Sequence, residues 1–366
     1  MNAPPADLID RIRLIRSQGI GPVAFSQLML RFGTAAEAIR ALPDLARRGR
    51  GKVPTIAPIA VAEREAEAVA RLGGRHLVLG QGLYPRALAE LDNAPPLLTV
   101  IGDLSLLERQ MVAIVGARNA SAAACRFARG LAHDLGREGV SVVSGLARRI
   151  DSAAHDGSLE SGTIAVVAGG LDIFYPPENE ARQRDIAARG LLIAEMPPGT
   201  EPHARHFPYR NRIIAGLAAG TVVVEAAPRS GSLITARLAA EAGREVMAVP
   251  GSPLDPRAQG CNQLIRDGAT LIQNASDVLE AVRTLSGRVA SPVYPFDHHG
   301  IATPLDADED VRARVEGLLG PSPVPVDELV RLSDASAGEV QLVLLELDLA
   351  GRIDRHAGNK VSLAAA

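Results

Sequence analysis

The sequence contains no tryptophan, and aromatic residues account for only 3% of it. Its core is therefore expected to consist mainly of Ala, Val, Leu and Ile side chains. Only two cysteines are present, Cys125 and Cys261, and they do not form a CxxC pair. This usage excludes a disulfide framework and a cysteine-based zinc site, and it favours a reducing compartment.

Long apolar runs are also missing from the sequence. No run approaches the roughly 20 residues that are needed to span a bilayer, and the N-terminal stretch lacks the apolar segment of a signal peptide. We therefore expect a cytoplasmic protein with no membrane partner. The length of 366 residues predicts two or three domains, and an apolar fraction of 47% is sufficient for a sizeable core.

The chain has no overall basic excess that would indicate a polyanionic partner. Its net charge is −3, and the charge is unevenly distributed. From Asp306 to the end there are 12 acidic and 6 basic residues, whereas the remainder has 33 basic and 30 acidic residues. The acidic excess therefore belongs to the C-terminal segment.

Residues 1–75 are predicted to form an N-terminal helical domain, because apolar residues recur at helical spacing on both sides of the turn Gly19–Pro22. A helix, a GIGP turn and a second helix resemble a helix-hairpin-helix unit, in which the glycine-rich turn approaches a phosphate. An ordinary helical hairpin with glycines for tight packing is the other interpretation of this pattern.

Residues 76–285 alternate short β-branched runs with helical stretches, which predicts a Rossmann-like, doubly wound α/β domain with a mainly parallel sheet. The predicted strands are Val112–Val115, Val140–Val143, Thr163–Val167, Leu191–Glu195, Thr221–Glu225, Glu245–Val249 and Thr270–Ile272.

Residues 286–307 have the composition of a linker, and residues 308–366 are predicted to form a winged helix. The expected recognition helix, Ala335–Leu349, contains no Lys or Arg, although a DNA-reading helix is normally basic. We therefore expect the winged helix to serve a protein contact or a regulatory role rather than to be a principal DNA contact.

Small residues and arginines follow several of the predicted strands, where the ligands of open α/β sheets bind. Glycine lets backbone N–H groups approach an anion, serine at a helix start adds a hydroxyl donor, and arginine matches phosphate geometry. The predicted phosphate-binding residues are Gly116, Arg118, Ser144, Gly145, Arg148, Arg210, Asn211, Arg212, Ser230, Gly231 and Ser232. Phe207 and Tyr209 could stack on bases or belong to the core.

Cofactor and catalytic motifs are incomplete in this sequence. Gly116 is not followed by the two later glycines of a dinucleotide fingerprint, and no Walker A motif is present. We therefore expect no cofactor and no metal. Asp151 and His155 lie one helical turn apart and could form a proton relay or hold a helix end. Glu195 and Glu225 end two strands and could form a hydrolytic carboxylate pair, although the surrounding arginines favour anion binding.

Several long stretches of the central domain together resemble the DprA/Smf family of DNA-processing proteins. These are VAIVGAR (Val112–Arg118), SGLARRIDSAAHDGSL (Ser144–Leu159), GTIAVVAGGLDIFYPPEN (Gly162–Asn179), FPYRNRIIAGL (Phe207–Leu217), VVVEAAPRSGSLITARLAAEAGREVMAVPG (Val222–Gly251) and GCNQLIRDGATLI (Gly260–Ile272). One departure is visible, since Arg149 stands where the family usually has glycine. If the site requires a positive φ, arginine is strained there; otherwise the loop is ordinary and gains a cation.

The resemblance implies a non-enzymatic protein that binds single-stranded DNA during natural transformation, protects it and helps to load the recombinase RecA. It also implies a homodimer formed through the Rossmann-like domain. Two alternatives compete with this interpretation. A lysine-decarboxylase-like phosphoribohydrolase would carry a PGGxGT loop, which Pro228–Leu233 does not match. A nucleotide-sensing module would hold a mononucleotide in the same pocket.

Overall fold

A computed structural model describes residues 6–286, 306–356 and 358–364 of the chain. The chain divides into two compact units, Glu67–Val293 on one hand and Met1–Ala66 with Tyr294–Ala366 on the other. Most of the predicted linker 286–307 lies outside the described residues.

Helices and strands are numbered separately in chain order. The helices are α1 (Ala6–Arg16), α2 (Pro22–Phe32), α3 (Ala35–Arg48), α4 (Ile59–Arg71), α5 (Arg86–Ala89), α6 (Ala122–Arg137), α7 (Ile150–Ser158), α8 (Glu180–Arg189), α9 (His206–Leu217), α10 (Gly231–Glu241), α11 (Gln259–Arg266), α12 (Ala275–Ser286), α13 (Glu309–Leu318), α14 (Val326–Ser333) and α15 (Ala337–Leu349). The strands are β1 (Arg75–Val78), β2 (Leu97–Gly102), β3 (Met111–Gly116), β4 (Ser141–Ser144), β5 (Thr163–Val167), β6 (Leu191–Ala194), β7 (Gly220–Val224), β8 (Glu245–Ala248), β9 (Thr270–Leu271), β10 (Val324–Pro325), β11 (Ile353–His356) and β12 (Lys360–Leu363).

The central unit is built on a nine-stranded sheet in the order β1-β2-β6-β5-β4-β3-β7-β8-β9. The seven strands β3 to β9 pair with one another only in parallel, whereas β2 is antiparallel to both of its neighbours, β1 and β6. The predicted doubly wound, mainly parallel fold is thus confirmed. The prediction missed β1 and β2, which extend one side of the sheet.

The central strands are apolar on both faces because helices cover both sides of the sheet. Within β3, Val112 and Ile114 contribute to the core under α6 and α7, while Ala113 and Val115 contribute to the opposite core, under α9 and α10. This alternation follows from the two-residue period of a strand.

The order of the strands reverses between β3 and β7. The chain proceeds from β3 through β4 and β5 to β6 on one side, and then crosses back to place β7 against the other side of β3. Such a topological switch point opens a crevice beyond the carboxyl ends of the strands. The loops after β3, β4 and β7 therefore meet at this point.

In the other unit, the N-terminal helices and the winged helix share one hydrophobic core. Leu28 of α2 and Leu42 of α3 belong to the same cluster as Val343 and Leu345 of α15, and all four are essentially inaccessible to solvent. The predicted N-terminal helices are present as α1 to α4, and the hairpin β11–β12 forms the predicted wing. One core thus joins the two ends of the chain.

Helix α15 occupies the position of a recognition helix but is buried on most of its surface. Eight of its thirteen residues are buried, including the charged Glu346, which accepts hydrogen bonds from Arg312 at 2.8 and 3.0 Å. A helix that reads DNA lies in the major groove with an exposed face. The described packing of α15, against α2, α3, α13 and α14, instead makes it the centre of its own unit.

Candidate phosphate-binding crevice

Two adjoining cavities open at the switch point of the central sheet, and together they are called the crevice here. Both are lined by Arg118, Ala147, Phe207 and Arg210. The first cavity continues along the loop after β4 toward Arg148 and Tyr175. The second continues past Gly116 and Asn119 toward Asn211 and the start of α10, at Ser230–Ser232. The crevice thus joins the loops that follow β3, β4 and β7.

Arg118 supplies an exposed positive charge at the centre of the crevice. It lies in the loop directly after β3, and its guanidinium stands 5.1 Å from the centroid of the Phe207 ring. It forms no ion pair with any carboxylate among the described residues. A cation that rests on an aromatic face and lacks an anionic partner is available to bind a phosphate.

Arg210 supplies a second, buried charge behind Arg118. Its side chain is 7% exposed, its Nη1 lies 4.0 Å from Asp151 Oδ2, and its Nε has no hydrogen-bond partner among the described residues. Burial lowers the pKa of Arg210 to about 10, so the group remains charged at neutral pH. Because Arg210 lines both cavities, its guanidinium places positive charge at the crevice and favours an anion there.

Gly145 is the residue that makes room for Arg210. A Cβ atom at this position would lie 1.3 Å from Arg210 Nη1 and 2.9 Å from Asp151 Oδ2. Its backbone N–H donates to Asp151 Oδ2 at 3.2 Å. The absence of a side chain at Gly145 therefore leaves space for the guanidinium. The backbone N–H of Gly145, which was predicted to bind phosphate, instead donates to Asp151.

Asp151 and His155 have separate partners, and no hydrogen bond between them occurs in the described part of the chain. Burial raises the pKa of Asp151, whose Oδ2 accepts hydrogen bonds from the backbone of Gly145 and Ala147. His155 Nδ1 lies 2.7 Å from Thr163 Oγ1, and burial lowers the pKa of this histidine to about 3. Asp151 thus stabilises the loop after β4, and His155 attaches α7 to β5. Both roles are structural, and the two residues do not form a proton relay.

The start of α10 lines the second cavity. Ser230 is the N-cap, its Oγ accepts from Ser232 N–H at 3.4 Å, and the two hydroxyls lie 2.8 Å apart. Gly231 is exposed, and a Cβ there would meet nothing within 4 Å. Asn211 Nδ2 reaches the carbonyl of Gly231 at 3.5 Å. The positive end of the dipole of this eleven-residue helix favours a bound anion at its first turn.

Arg212 lies outside the crevice, although Arg210 lies within it. Both belong to α9, where residues two apart point in directions about 200° apart. Arg212 is buried and donates to Asn93 O at 2.7 Å and to Glu195 Oε1 at 2.5 Å. The sequence analysis predicted both arginines to bind phosphate, and the helix that starts at His206 is what separates them.

The remaining predicted residues have mixed surroundings. Ser144 is buried and its hydroxyl donates to Ile114 O at 2.6 Å, while a Cβ on Gly116 would lie 2.0 Å from Val224 O, which explains the glycine by strand packing. Arg148 lines the first cavity and pairs with Glu178. Tyr209 is 51% exposed and lines neither cavity.

The two carboxylates considered for hydrolysis are both engaged. Glu195 pairs with Arg212, and Glu225 accepts hydrogen bonds from Ser121 N–H at 2.8 Å and from its hydroxyl at 2.6 Å, which anchors the start of α6. Sequence reasoning missed Tyr175, whose ring packs 5.6 Å from that of Phe207. Its only sequence signal was that it follows β5, whose carboxyl end lies at the same sheet edge.

Within the described residues, no group of three or more His, Cys, Asp or Glu side chains is placed to hold a metal ion. Nor does that part of the chain contain a helix that is both long and apolar enough to cross a membrane. Cys125 and Cys261 are both free thiols.

Family comparisons match all three segments of the chain. The family described as DNA recombination-mediator protein A matches residues 75–283, the DprA-like N-terminal HHH domain matches residues 5–68, and the DprA winged helix domain matches residues 302–359. The second of these supports the helix-hairpin-helix interpretation of α1 and α2.

Individual relatives give the same assignment. The DNA processing protein DprA of Streptococcus pneumoniae is 48% identical over 198 residues, which are 54% of this chain and 70% of that protein. Protein Smf of Escherichia coli K12 is 37% identical over 287 residues, or 76% of this chain and 75% of that protein.

Solved structures show the same relationship. The crystal structure of DprA from Streptococcus pneumoniae aligns with a TM-score of 0.59 at 36% identity, covering 74% of this chain and 96% of that one. DprA from Helicobacter pylori, whose structure was reported for its single-stranded DNA binding mode, aligns with a TM-score of 0.52 at 29% identity. The alignment covers 58% of this chain and 95% of that one. The chain is therefore a member of the DprA/Smf family.

Proposed function

We propose that this protein binds single-stranded DNA through its backbone phosphates, with the crevice as the principal site and without covalent chemistry. The observation that carries the proposal is the convergence of two cations, exposed Arg118 and buried Arg210, on the crevice that α10 enters by its N-terminus. Phosphate contacts of this kind give affinity with little sequence preference.

The aromatic residues of the crevice favour a single strand over a duplex. Phe207 and Tyr175 pack together at the first cavity, and ring faces are the surfaces on which unpaired bases stack. A duplex keeps its bases stacked on one another and cannot offer them to such a site. The single-stranded DNA binding mode reported for the Helicobacter pylori relative supports the same preference.

Replacing Arg118 by Ala is expected to weaken binding of a 20-nucleotide single strand by about 10-fold or more. A hydrogen bond to a charged group contributes roughly 1.5–3 kcal/mol, and each 1.4 kcal/mol corresponds to about tenfold in Kd. The slope of log K against log salt should become shallower by about 0.7, the value per phosphate for single strands. Fluorescence anisotropy in rising salt measures both quantities.

Arg137→Ala is the matched control for this substitution. It removes the same charge at the far end of α6, which starts beside the crevice and runs about 24 Å from Ala122 to Arg137. We expect this variant to bind as the wild type does. Equal losses in the two variants would mean that overall charge, rather than the crevice, determines binding.

A role in recombination is proposed on the basis of family membership. A recombination mediator delivers single-stranded DNA to a recombinase, and we propose that this chain protects the strand and promotes loading of RecA onto it. The proposal places the protein in the cytoplasm, where RecA and incoming DNA meet. The absence of covalent chemistry is supported by the engagement of Glu195 and Glu225 and by the low pKa of His155.

The proposed homodimer can form at the β9 edge of the central sheet. β9 exposes Leu271, which is 45% accessible, whereas the opposite edge strand, β1, carries the exposed charge of Arg75. An apolar edge invites pairing with another chain, and a charged edge resists it. We therefore expect Leu271→Asp to shift the protein toward monomer in sedimentation velocity at micromolar concentration.

Leu83→Asp provides the comparison for the dimer test. Leu83 is 46% exposed, and it follows β1 at the other side of the sheet. It should leave the distribution of species unchanged. A Leu271→Asp protein that sediments like the wild type would place self-association elsewhere.

A further inference from the structure

Arg149 holds a backbone conformation that disfavours its own side chain. Its φ is 68° and its ψ is −102°, at the residue that immediately precedes α7. Glycine adopts such values readily, whereas a residue with a Cβ is strained there. Arg149, which stands where the family usually has glycine, is therefore strained because this position has a positive φ.

The surroundings fix this conformation from several directions. The carbonyl of Arg149 accepts a hydrogen bond from Ala153 N–H at 2.8 Å. Earlier in the same loop, Asn179 Nδ2 donates to Leu146 O at 2.8 Å, and Ala147 N–H donates to Asp151. These hydrogen bonds hold the loop on both sides of Arg149, and strain of this kind concentrates at functional sites.

The side chain of Arg149 has no compensating contact in the described part of the protein. It is exposed, and among the described residues it forms neither a hydrogen bond nor an ion pair. Its neighbour Arg148 lines the first cavity and is paired with Glu178. Arg149 is thus the unneutralised cation of this loop, and it directly follows a residue that lines the first cavity.

We infer that Arg149 is an additional phosphate contact, which extends the DNA track of the crevice beyond Arg148. The inference rests on the proposed function. A strand that passes from the start of α10 across Arg118 toward Arg148 leaves the crevice beside Arg149. The ligand that reaches this cation is therefore a polynucleotide backbone several phosphates long, and a mononucleotide in the crevice does not need it.

Three substitutions separate the charge of Arg149 from its strain. Arg149→Gly removes both, so the thermal midpoint should rise by a few degrees while affinity for a 20-nucleotide oligothymidylate falls on the order of tenfold and the salt slope drops by about 0.7. Arg149→Ala removes only the charge and should lose the same affinity with no gain in midpoint. Arg149→Lys keeps the charge and should bind nearly as the wild type does.

Ligand length supplies a second readout. Trithymidylate, used as a competitor, should bind the wild type and Arg149→Gly equally, because its few phosphates can be held at Arg118 and Arg210 without reaching Arg149. If Arg149→Gly and Arg149→Ala bind the 20-nucleotide strand as the wild type does while Arg118→Ala does not, the inference is wrong and the proposed function stands. If Arg118→Ala also binds normally, the crevice itself is not the DNA site and both fail.

Discussion

A chain that ends at residue 305 is expected to lose the folded state of its N-terminal helices while the central sheet remains folded. The reason is the shared core, in which α15 supplies apolar side chains such as Val343 and Leu345 to the cluster that contains Leu28 and Leu42. Removing a core residue of this size costs about 2–5 kcal/mol, and the truncation removes many of them. The loss exceeds the stability of an ordinary domain, which is about 5–15 kcal/mol.

Hydrogen exchange measures this outcome segment by segment. Amides of α1, α2 and α3 should lose their protection in the truncated chain, and amides of β3, β4 and β7 should retain it. Persisting protection in α2 and α3 would show that the N-terminal segment folds without α15.

A milder substitution tests the same core in the full-length chain. A Cβ on Gly51 would lie 2.4 Å from Ala350 Cα, so Gly51→Ala should destabilise this unit by about 1–3 kcal/mol through overpacking. Gly317→Ala is the control, because Gly317 lies within α13, a methyl group there would meet no atom within 4 Å, and alanine favours a helix. Equal midpoints in the two variants would contradict the close approach.

The second large effect is expected from Gly145→Ala. The added methyl group would occupy the position of Arg210 Nη1, 1.3 Å away, so the buried guanidinium must leave its seat beside Asp151. Loss of this cation from the crevice should weaken single-strand binding by about 10- to 100-fold, the equivalent of roughly 1.5–3 kcal/mol for a charged hydrogen bond. Anisotropy titration with the 20-nucleotide strand measures the effect.

Two comparisons show whether Gly145→Ala acts through Arg210. Gly130→Ala adds a methyl group on the open surface of α6, where no atom lies within 4 Å, and should bind DNA normally. In an Arg210→Lys background, the guanidinium is already absent, so Gly145→Ala should cost less than it does alone. Strictly additive losses would mean that the methyl group blocks the DNA directly.

The arrangement of the crevice also determines which arginine is informative. Arg212 stands in the same short motif as Arg210, yet it is buried against Glu195 and Asn93. Truncating one partner of a buried ion pair is strongly destabilising. A loss of DNA binding in an Arg212 variant would therefore report on folding, whereas Arg118 is exposed and can be changed without disturbing the core.

Sequence alone was sufficient for the local and repetitive features of this protein. The ends of strands β3 to β9 were predicted to within one residue, because buried parallel strands are continuous apolar runs bounded by glycine, serine and charged residues. β2 (Leu97–Gly102) is equally apolar, but it directly follows Pro95 and Pro96 and pairs antiparallel, so the βα alternation gave no reason to include it. The motifs after the strands likewise identified the edge where Arg118 and the start of α10 converge.

Only the tertiary structure decided which of the predicted phosphate-binding residues face the crevice, and which neighbouring groups occupy the space beside the glycines among them. Helix α9 directs Arg210 and Arg212 to opposite sides, and Gly145 is required by the guanidinium of a residue 65 positions away. The sequence also did not show that the N-terminal helices and the winged helix share one core, because a pattern of apolar residues shows that a face is buried but not which distant segment covers it. Sequence thus determined most of the elements of the central sheet and their order along the chain, and long-range packing determined the partners of each side chain.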